Sequence, residues 1–192
     1  MYTEKKVYLF DGNGLDQWMT RSSDVAGWSV ENGILKPYRT ASSILTRENF
    51  GDSFIHIEFR ITEKDAASGI YMHGRYQIQI SDSYGVEDPG VFDCGAIYNF
   101  MRPRINACKP IGEWQTLNII FRAPTLRPNG NVSTFARVTA FLNDIPIHNN
   151  EYFARERGKA IEYDFQDTTG PIMLENKGNG VEFRNIYAIH LN

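Results

Sequence analysis

An all-β antiparallel sandwich is the fold this sequence predicts, and three observations predict it. Ser53 to Ile61 alternates almost without a break, with Ile55, Ile57, Phe59 and Ile61 on one face and His56, Glu58 and Arg60 on the other, the period-two signature of a half-buried strand. Asn32-Gly33 and Asn143-Asp144 each stand between apolar runs, where such dipeptides favour tight hairpins. Between these marks lie roughly a dozen short strand-like runs with frequent turns and no amphipathic helical pattern. No internal repeat or low-complexity stretch interrupts them, so residues 1–192 read as a single domain.

Taken in order, Val7 to Phe10 is a short apolar strand that stops at the turn dipeptide Asp11-Gly12. Trp28 to Lys36 folds back on itself at Asn32-Gly33, and Ser43 to Thr46 is a further short strand before a polar turn at Arg47 to Asp52. After the Ser53 strand come Gly69 to His73 and Gln77 to Ser81. If Gly74 to Tyr76 form a three-residue turn, His73 faces Gln77, Tyr71 faces Gln79, and Ile70, Met72, Ile78 and Ile80 share the other side. A two-residue turn would set glutamines beside Ile70 and Met72, because a one-residue slip exchanges the faces. The binary pattern selects the odd loop. Trp114 to Arg122, Phe135 to Leu142, Ile145 to His148, Pro171 to Glu175 and Val181 to Leu191 supply the remaining strands. The segment from Asn149 to Thr169 is polar and takes no assignment. Trp28 and Trp114 alternate with core residues and read as packing.

Composition narrows the function. The chain carries a formal net charge of −3 and scattered Lys and Arg without a basic run, so nucleic acid is not an expected partner. No stretch of about 18 apolar residues is present, so no helical membrane span is expected. The first ten residues lack the apolar core and small-residue cleavage site of a signal peptide. Cys94 and Cys108 are the only cysteines. A bridge between them would close a loop of about 15 residues, worth roughly 3 kcal/mol in the chain-entropy model; two reduced thiols are an equally ordinary outcome. Neither has a partner at zinc-ligand spacing, the histidines are dispersed, and the acidic loop residues Asp82, Glu87, Asp88 and Asp93 lack calcium-loop spacing. No metal or other cofactor is expected. The pattern sets no oligomeric state.

The central stretch predicts one sheet with an oily face and a polar face carrying His56, Glu58, Arg60, Tyr71, His73, Gln77 and Gln79, and the polar face is where function is expected. Each amide of Gln77 and Gln79 offers a donor and an acceptor, which suits sugar hydroxyls, and Tyr71 offers a ring to stack on. The same groups also occur as satisfied side chains on ordinary sheet surfaces.

Several segments together resemble the 3-keto-disaccharide hydrolase family. They are LFDGNGLDQW (Leu9 to Trp18), WSVENGILK (Trp28 to Lys36), ASGIYMHGRYQIQISDSYG (Ala67 to Gly85), CGAIYNF (Cys94 to Phe100), NACKPIGEWQTLNIIFRAP (Asn106 to Pro124) and GPIMLENKGNGVEFRNI (Gly170 to Ile186). The resemblance implies a two-sheet jelly roll of the concanavalin-like lectin and glucanase type, a carbohydrate ligand on its concave sheet, and hydrolysis of 3-keto-glycosides. It also implies an exported, secreted or periplasmic, bacterial protein. Two departures stand out. Where the family commonly reads Tyr-Glu-x-Gln, this chain has Tyr76-Gln77-Ile78-Gln79. Where it commonly reads Leu-Gln-x-His-Gly, this chain has Leu174-Glu175-Asn176-Lys177-Gly178. If the two positions meet, the carboxylate is kept and its location exchanged.

A 3-keto group makes the proton on C2 acidic, because the carbanion delocalises into the ketone. Cleavage then needs a base near C2, a cation or donor for the enolate oxygen and an acid for the leaving oxygen, unlike the paired carboxylates of most glycosidases. For these roles the sequence offers Glu58 as base, Arg60 as charge stabiliser, and His73 and Glu182 as further acid–base candidates. Tyr71, Gln77, Gln79, Asp82, Glu175 and Arg184 are the substrate-binding candidates. Glu58 and Arg60 also fit a cross-strand ion-pair row, and a strand-end histidine or a loop-opening Asp is often structural. The expectation is a carbohydrate-active hydrolase; the alternative is a glycan-binding module of the same fold without turnover.

Overall fold

In the computed structural model, residues 6–21, 27–153, 167–178 and 180–191 are described. They form two packed antiparallel sheets and a small ribbon. The strands are β1 (Lys6–Phe10), β2 (Trp18–Met19), β3 (Trp28–Glu31), β4 (Ile34–Pro37), β5 (Ile44–Phe50), β6 (Ser53–Ile61), β7 (Ala67–Met72) and β8 (Tyr76–Ser81). They continue with β9 (Trp114–Arg122), β10 (Thr125–Leu126), β11 (Val132–Thr134), β12 (Arg137–Leu142), β13 (Ile145–Tyr152), β14 (Gly170–Leu174) and β15 (Val181–His190). The larger sheet runs β13-β12-β9-β6-β15-β4-β3, with β1 also paired to β15, and the smaller runs β2-β5-β14-β7-β8. No helix forms among the described residues.

The core lies between the sheets and is built by the alternation. Ile55, Ile57, Phe59 and Ile61 of β6 and Leu117, Ile119 and Phe121 of β9 are fully buried from one side. Ile70, Ile78, Ile80, Ile172 and Leu174 meet them from the other. Truncating Phe59 to alanine would cost about 3–5 kcal/mol. Trp18, wholly buried, donates its indole N–H to the Leu9 carbonyl at 2.8 Å, which ties β1 to β2.

Both tight hairpins form where the turn dipeptides stand. Asn32 and Gly33 join β3 to β4, and Asn143 and Asp144 join β12 to β13, all four with positive φ, as a twist-matched two-residue turn requires. The β7–β8 loop has three residues, but they are His73 to Arg75. Met72 pairs with Tyr76 and Tyr71 with Gln77, one residue earlier than predicted. His73 and Gly74 both have positive φ, so the turn settles where glycine and a tolerant histidine can take it. Strand β5 runs on through Arg47 to Phe50 in place of the predicted polar turn. There it pairs with β14 across an irregularity in register.

One prediction fails at the level of topology. Strand β6 does not share a sheet with β7 and β8; it lies between β9 and β15 in the larger sheet. Alternation shows that one face of a strand is buried, not which sheet the strand joins. Both sheets bury a face in the same core, so the pattern is identical for either. The expected single polar face is therefore two faces, on opposite outsides of the sandwich, with the core between.

Candidate functional site

On the smaller sheet a row of side chains crosses the outer face. Met19 pairs with Leu45, Leu45 with Met173, Met173 with Tyr71 and Tyr71 with Gln77. Leu45, Tyr71 and Met173 form a small buried cluster with Met19 against it. The next row holds Gly69 opposite Gln79, with Glu175 just past the end of β14. The Glu175 backbone is clamped to β7, its N–H donating to the Gly69 carbonyl at 2.9 Å and its carbonyl accepting from the Ser68 hydroxyl at 2.7 Å.

These rows bring Gln77 and Glu175 together. Gln77 Nε2 donates to Gln79 Oε1 at 2.8 Å and to Glu175 Oε2 at 3.2 Å. The amide reaches across because position 69 is glycine: a Cβ there would stand 2.5 Å from Gln77 Nε2. Lys177 Nζ meets the same Glu175 oxygen at 3.2 Å and lies 4.6 Å from the centroid of the Tyr98 ring. Among the described residues, Glu175 Oε1 accepts no hydrogen bond. The loop bearing Lys177 is fixed by Asn176, whose Nδ2 donates to the Tyr38 and Ala41 carbonyls at 2.9 and 2.8 Å. Tyr98 belongs to a segment along the free edge of β8, where Gly95 N–H donates to Gln79 O, Gln79 N–H to Ala96 O and Tyr98 N–H to Gln77 O.

Gln77 and Glu175, two of the positions at which the chain departs from the family's usual residues, thus touch. Of the predicted site residues, Tyr71, Gln77, Gln79 and Glu175 gather here. Lys177 and Tyr98 join them without having been singled out. Both stand inside the family-like segments, and a charged residue two places from Glu175 was the available signal for Lys177.

The remaining candidates lie elsewhere. Glu58, Arg60, Glu182 and Arg184 occupy the outer face of the larger sheet, where Glu182 pairs with Arg60 and Arg184 with Glu58 across β15 and β6. Arg60 Nε donates to Glu182 Oε2 at 3.0 Å, Arg60 Nη2 binds the same oxygen, and Lys36 Nζ stands 3.4 Å from Glu182 Oε1. Glu58 Oε2 accepts from Arg184 Nε at 2.6 Å, and its Oε1 from Asn185 Nδ2 at 2.8 Å. Burial raises the Glu58 pKa, but hydrogen bonds from Asn185 and Arg184 and the Arg184 charge outweigh it and hold the carboxyl below its ordinary value. Trp114, read as core, lies on this face, with Arg184 and Arg60 guanidinium carbons 4.0 and 4.9 Å from its ring centroid. His56 stacks on Tyr187 at 4.7 Å.

His73 is an interior residue. Its ring packs edge-on against Phe121 at 4.8 Å, and the residue lies against Gly170, where a Cβ would come within 2.8 Å of His73 Cα and Cβ and 3.1 Å of the ring's Cγ. Both ring nitrogens are closed to solvent and, among the described residues, neither has a well-aligned hydrogen-bond partner. Burial pushes its pKa down to about 4, and nearby backbone of Phe50, Asp167 and Gly51 opposes this only in part. Asp82 is a loop anchor, its carboxylate accepting from Asp65 N–H at 3.3 Å. Cys94 and Cys108 are both buried as free thiols, so the bridge their spacing allows is not formed. Among the described residues no three His, Cys, Asp or Glu side chains converge as a metal site.

A jelly-roll sandwich whose smaller sheet sets amides, a carboxylate and an ammonium around a tyrosine belongs, by fold and by the character of that face, with carbohydrate-active proteins. The chain is a member of the 3-keto-alpha-glucoside-1,2-lyase-like domain family, whose model matches residues 5–188. Among solved structures it is similar to a protein of Parabacteroides distasonis described as a candidate glycosyl hydrolase. The two share 29% identity and a TM-score of 0.86, over 97% of this chain and 84% of that one. A second protein of that organism and description gives 20% identity and a TM-score of 0.74, over 97% and 94% of the two chains. The alginate lyase Aly36B, as a mutant in complex with alginate trisaccharide, shares the fold at 6% identity and a TM-score of 0.53, over 91% and 87%. No curated protein matches the chain. Family membership supports a role in carbohydrate processing.

Proposed function

We propose that this protein cleaves 3-keto-glycosides by elimination across C1 and C2 of the keto sugar, with Glu175 as the base. The observation that carries this is the state of the Glu175 carboxylate: Oε2 is held by Gln77 and Lys177 at 3.2 Å each, while Oε1 accepts nothing among the described residues. A carboxylate oriented through one oxygen and open at the other is what proton abstraction needs. Oε1 takes the C2 proton, and the C–H electron pair moves into a C2–C3 enolate whose oxygen carries the charge. Lys177 is the cation at hand for that oxygen. As the ketone re-forms, the C1–O bond breaks and the pair becomes a C1–C2 double bond. The aglycone leaves as an alcohol, with the proton on Glu175 the nearest for it. Addition of water to the double bond completes hydrolysis. Gln77 and Gln79 hold hydroxyls and Tyr98 borders the ring.

The test is incubation with 3-keto-trehalose and, separately, trehalose, with released glucose measured. Release from the keto sugar alone is expected. Equal rates on both, or no turnover of any keto-glycoside, would overturn the proposal; saturable oligosaccharide binding without turnover would identify a glycan-binding module instead.

A further inference from the structure

Along most of the larger sheet's outer face, arginines stand opposite carboxylates, as Arg60 does to Glu182 and Arg184 to Glu58. Towards its β13 margin the pattern breaks. Arg122 of β9 and Arg137 of β12 are direct cross-strand partners, both on the side that alternates with the buried Phe121 and Val138. Like charges set opposite each other across a strand pair repel, so this pairing costs stability unless an anion lies against it. Asp52 answers only one of the two: its Oδ2 accepts from Arg122 Nη1 at 2.9 Å, and its Oδ1 from the Ala123 N–H at 2.7 Å. Among the described residues Arg137 makes no hydrogen bond and no ion pair. A hollow of about 130 Å³ opens beside the two guanidinium groups, lined also by Ile120, Thr139 and Asn150. The Thr139 hydroxyl accepts from Asn150 N–H at 2.9 Å, which leaves its own proton to donate. Tyr152 stands directly opposite Arg137 on β13 and is 44% exposed.

We propose that this hollow is a second saccharide site, separate from the Glu175 cleft, that seats a sulfate ester of a sugar between Arg122 and Arg137 with the sugar ring against Tyr152. Three donor groups border the hollow: two guanidinium forks and the Thr139 hydroxyl. A sulfate monoester offers three free oxygens in a tetrahedral array, one for each. A planar carboxylate has two oxygens and fills a single fork. Guanidinium, being weakly hydrated and fixed in plane, is the cation suited to such an oxyanion. The anion also removes the repulsion between the two arginines, so binding gains from both sides. The exposed phenol of Tyr152 supplies an apolar ring face with a polar tip at the hollow's border, the combination that a sugar ring carrying hydroxyls requires.

The experiment titrates the protein at low salt with glucose 6-sulfate, glucuronate, glucose and inorganic sulfate, following amide shifts by NMR. Glucose 6-sulfate is expected to bind tightest, to shift the amides around Arg137 and Thr139, and to weaken as salt is raised. Arg137→Ala should weaken it about tenfold or more and, in the absence of any anion, melt no lower than wild type, because the repulsion has gone. Tyr152→Ala should weaken glucose 6-sulfate and leave inorganic sulfate unchanged. Arg102→Ala, an exposed arginine already paired with Asp88, should change nothing. No binding of glucose 6-sulfate, glucose or glucuronate binding as tightly, inorganic sulfate binding as tightly, or an equal loss in Arg102→Ala would each overturn the proposal. The four wild-type titrations decide it even if a variant fails to fold.

Discussion

On the outer face of the larger sheet, Glu58 and Glu182 each have both oxygens engaged, by Arg184 and Asn185 in one case and by Arg60 and Lys36 in the other. On the outer face of the smaller sheet, Glu175 has one oxygen engaged and one open among the described residues. The residue types are nearly the same. The first face carries a ladder of ion pairs laid on Trp114, in which both carboxylates are taken up by their cationic and amide neighbours. In the second, an amide holds the carboxylate where a guanidinium would have saturated it. Polar character alone does not distinguish a site from a decorated sheet; the unspent valence of its acceptors does.

The sharpest way to break this comparison is Glu175→Gln, which keeps the shape and removes the base. Turnover of a 3-keto-glycoside should fall by about 10²–10⁴-fold, with the melting temperature little changed. Retention of the wild-type rate would put the base elsewhere. Gly69→Ala tests the geometry without touching a reacting group. Its Cβ would collide with the Gln77 amide and displace it from Glu175, with an expected loss on the order of 10²-fold. The rate, measured beside thermal stability, separates misplacement from misfolding.

Between the two faces, His73 supplies a prediction on stability. Its folded pKa, about 4, lies below the ordinary 6.5 because the ring is desolvated. As pH falls from 6.5 towards 4 the unfolded chain binds a proton there that the folded chain refuses, so stability is lost through that window, by about 3 kcal/mol at 1.36 kcal/mol per unit. His148, also pushed down by burial, adds in the same direction. Denaturant midpoints across this range should show a shallower slope in His73→Asn, which accepts the positive φ and does not titrate; an unchanged slope would refute the assignment. The smallest effect belongs to the ladder. Glu58→Gln should cost about 1 kcal/mol or less and leave turnover within about twofold of wild type, and a large loss of rate would erase the distinction between the faces.

The fold was largely legible because alternation and turn dipeptides are local. The odd β7–β8 loop followed from keeping Ile70 with Ile78 and Ile80, and both Asn-led hairpins followed from the need for positive φ. Sheet membership was not legible: nothing in Ile55 to Ile61 says whether its neighbours will be β7 and β8 or β9 and β15. Glu58 and Arg60 were misplaced with that strand. The meeting of Gln77 with Glu175, far apart in sequence, was legible only as a paired departure from a family pattern. Trp114 defeated the pattern because a tryptophan under two guanidinium groups and a tryptophan in a core alternate in the same way.

The segment from Gly95 to Tyr98 has a second effect. By bonding the N–H and C=O of Gln79 and the C=O of Gln77, it covers that margin of the smaller sheet against a stray strand from another molecule. Exposed margins of this kind are where sheet proteins begin to aggregate, so the stretch that carries Tyr98 also guards this margin against strand addition.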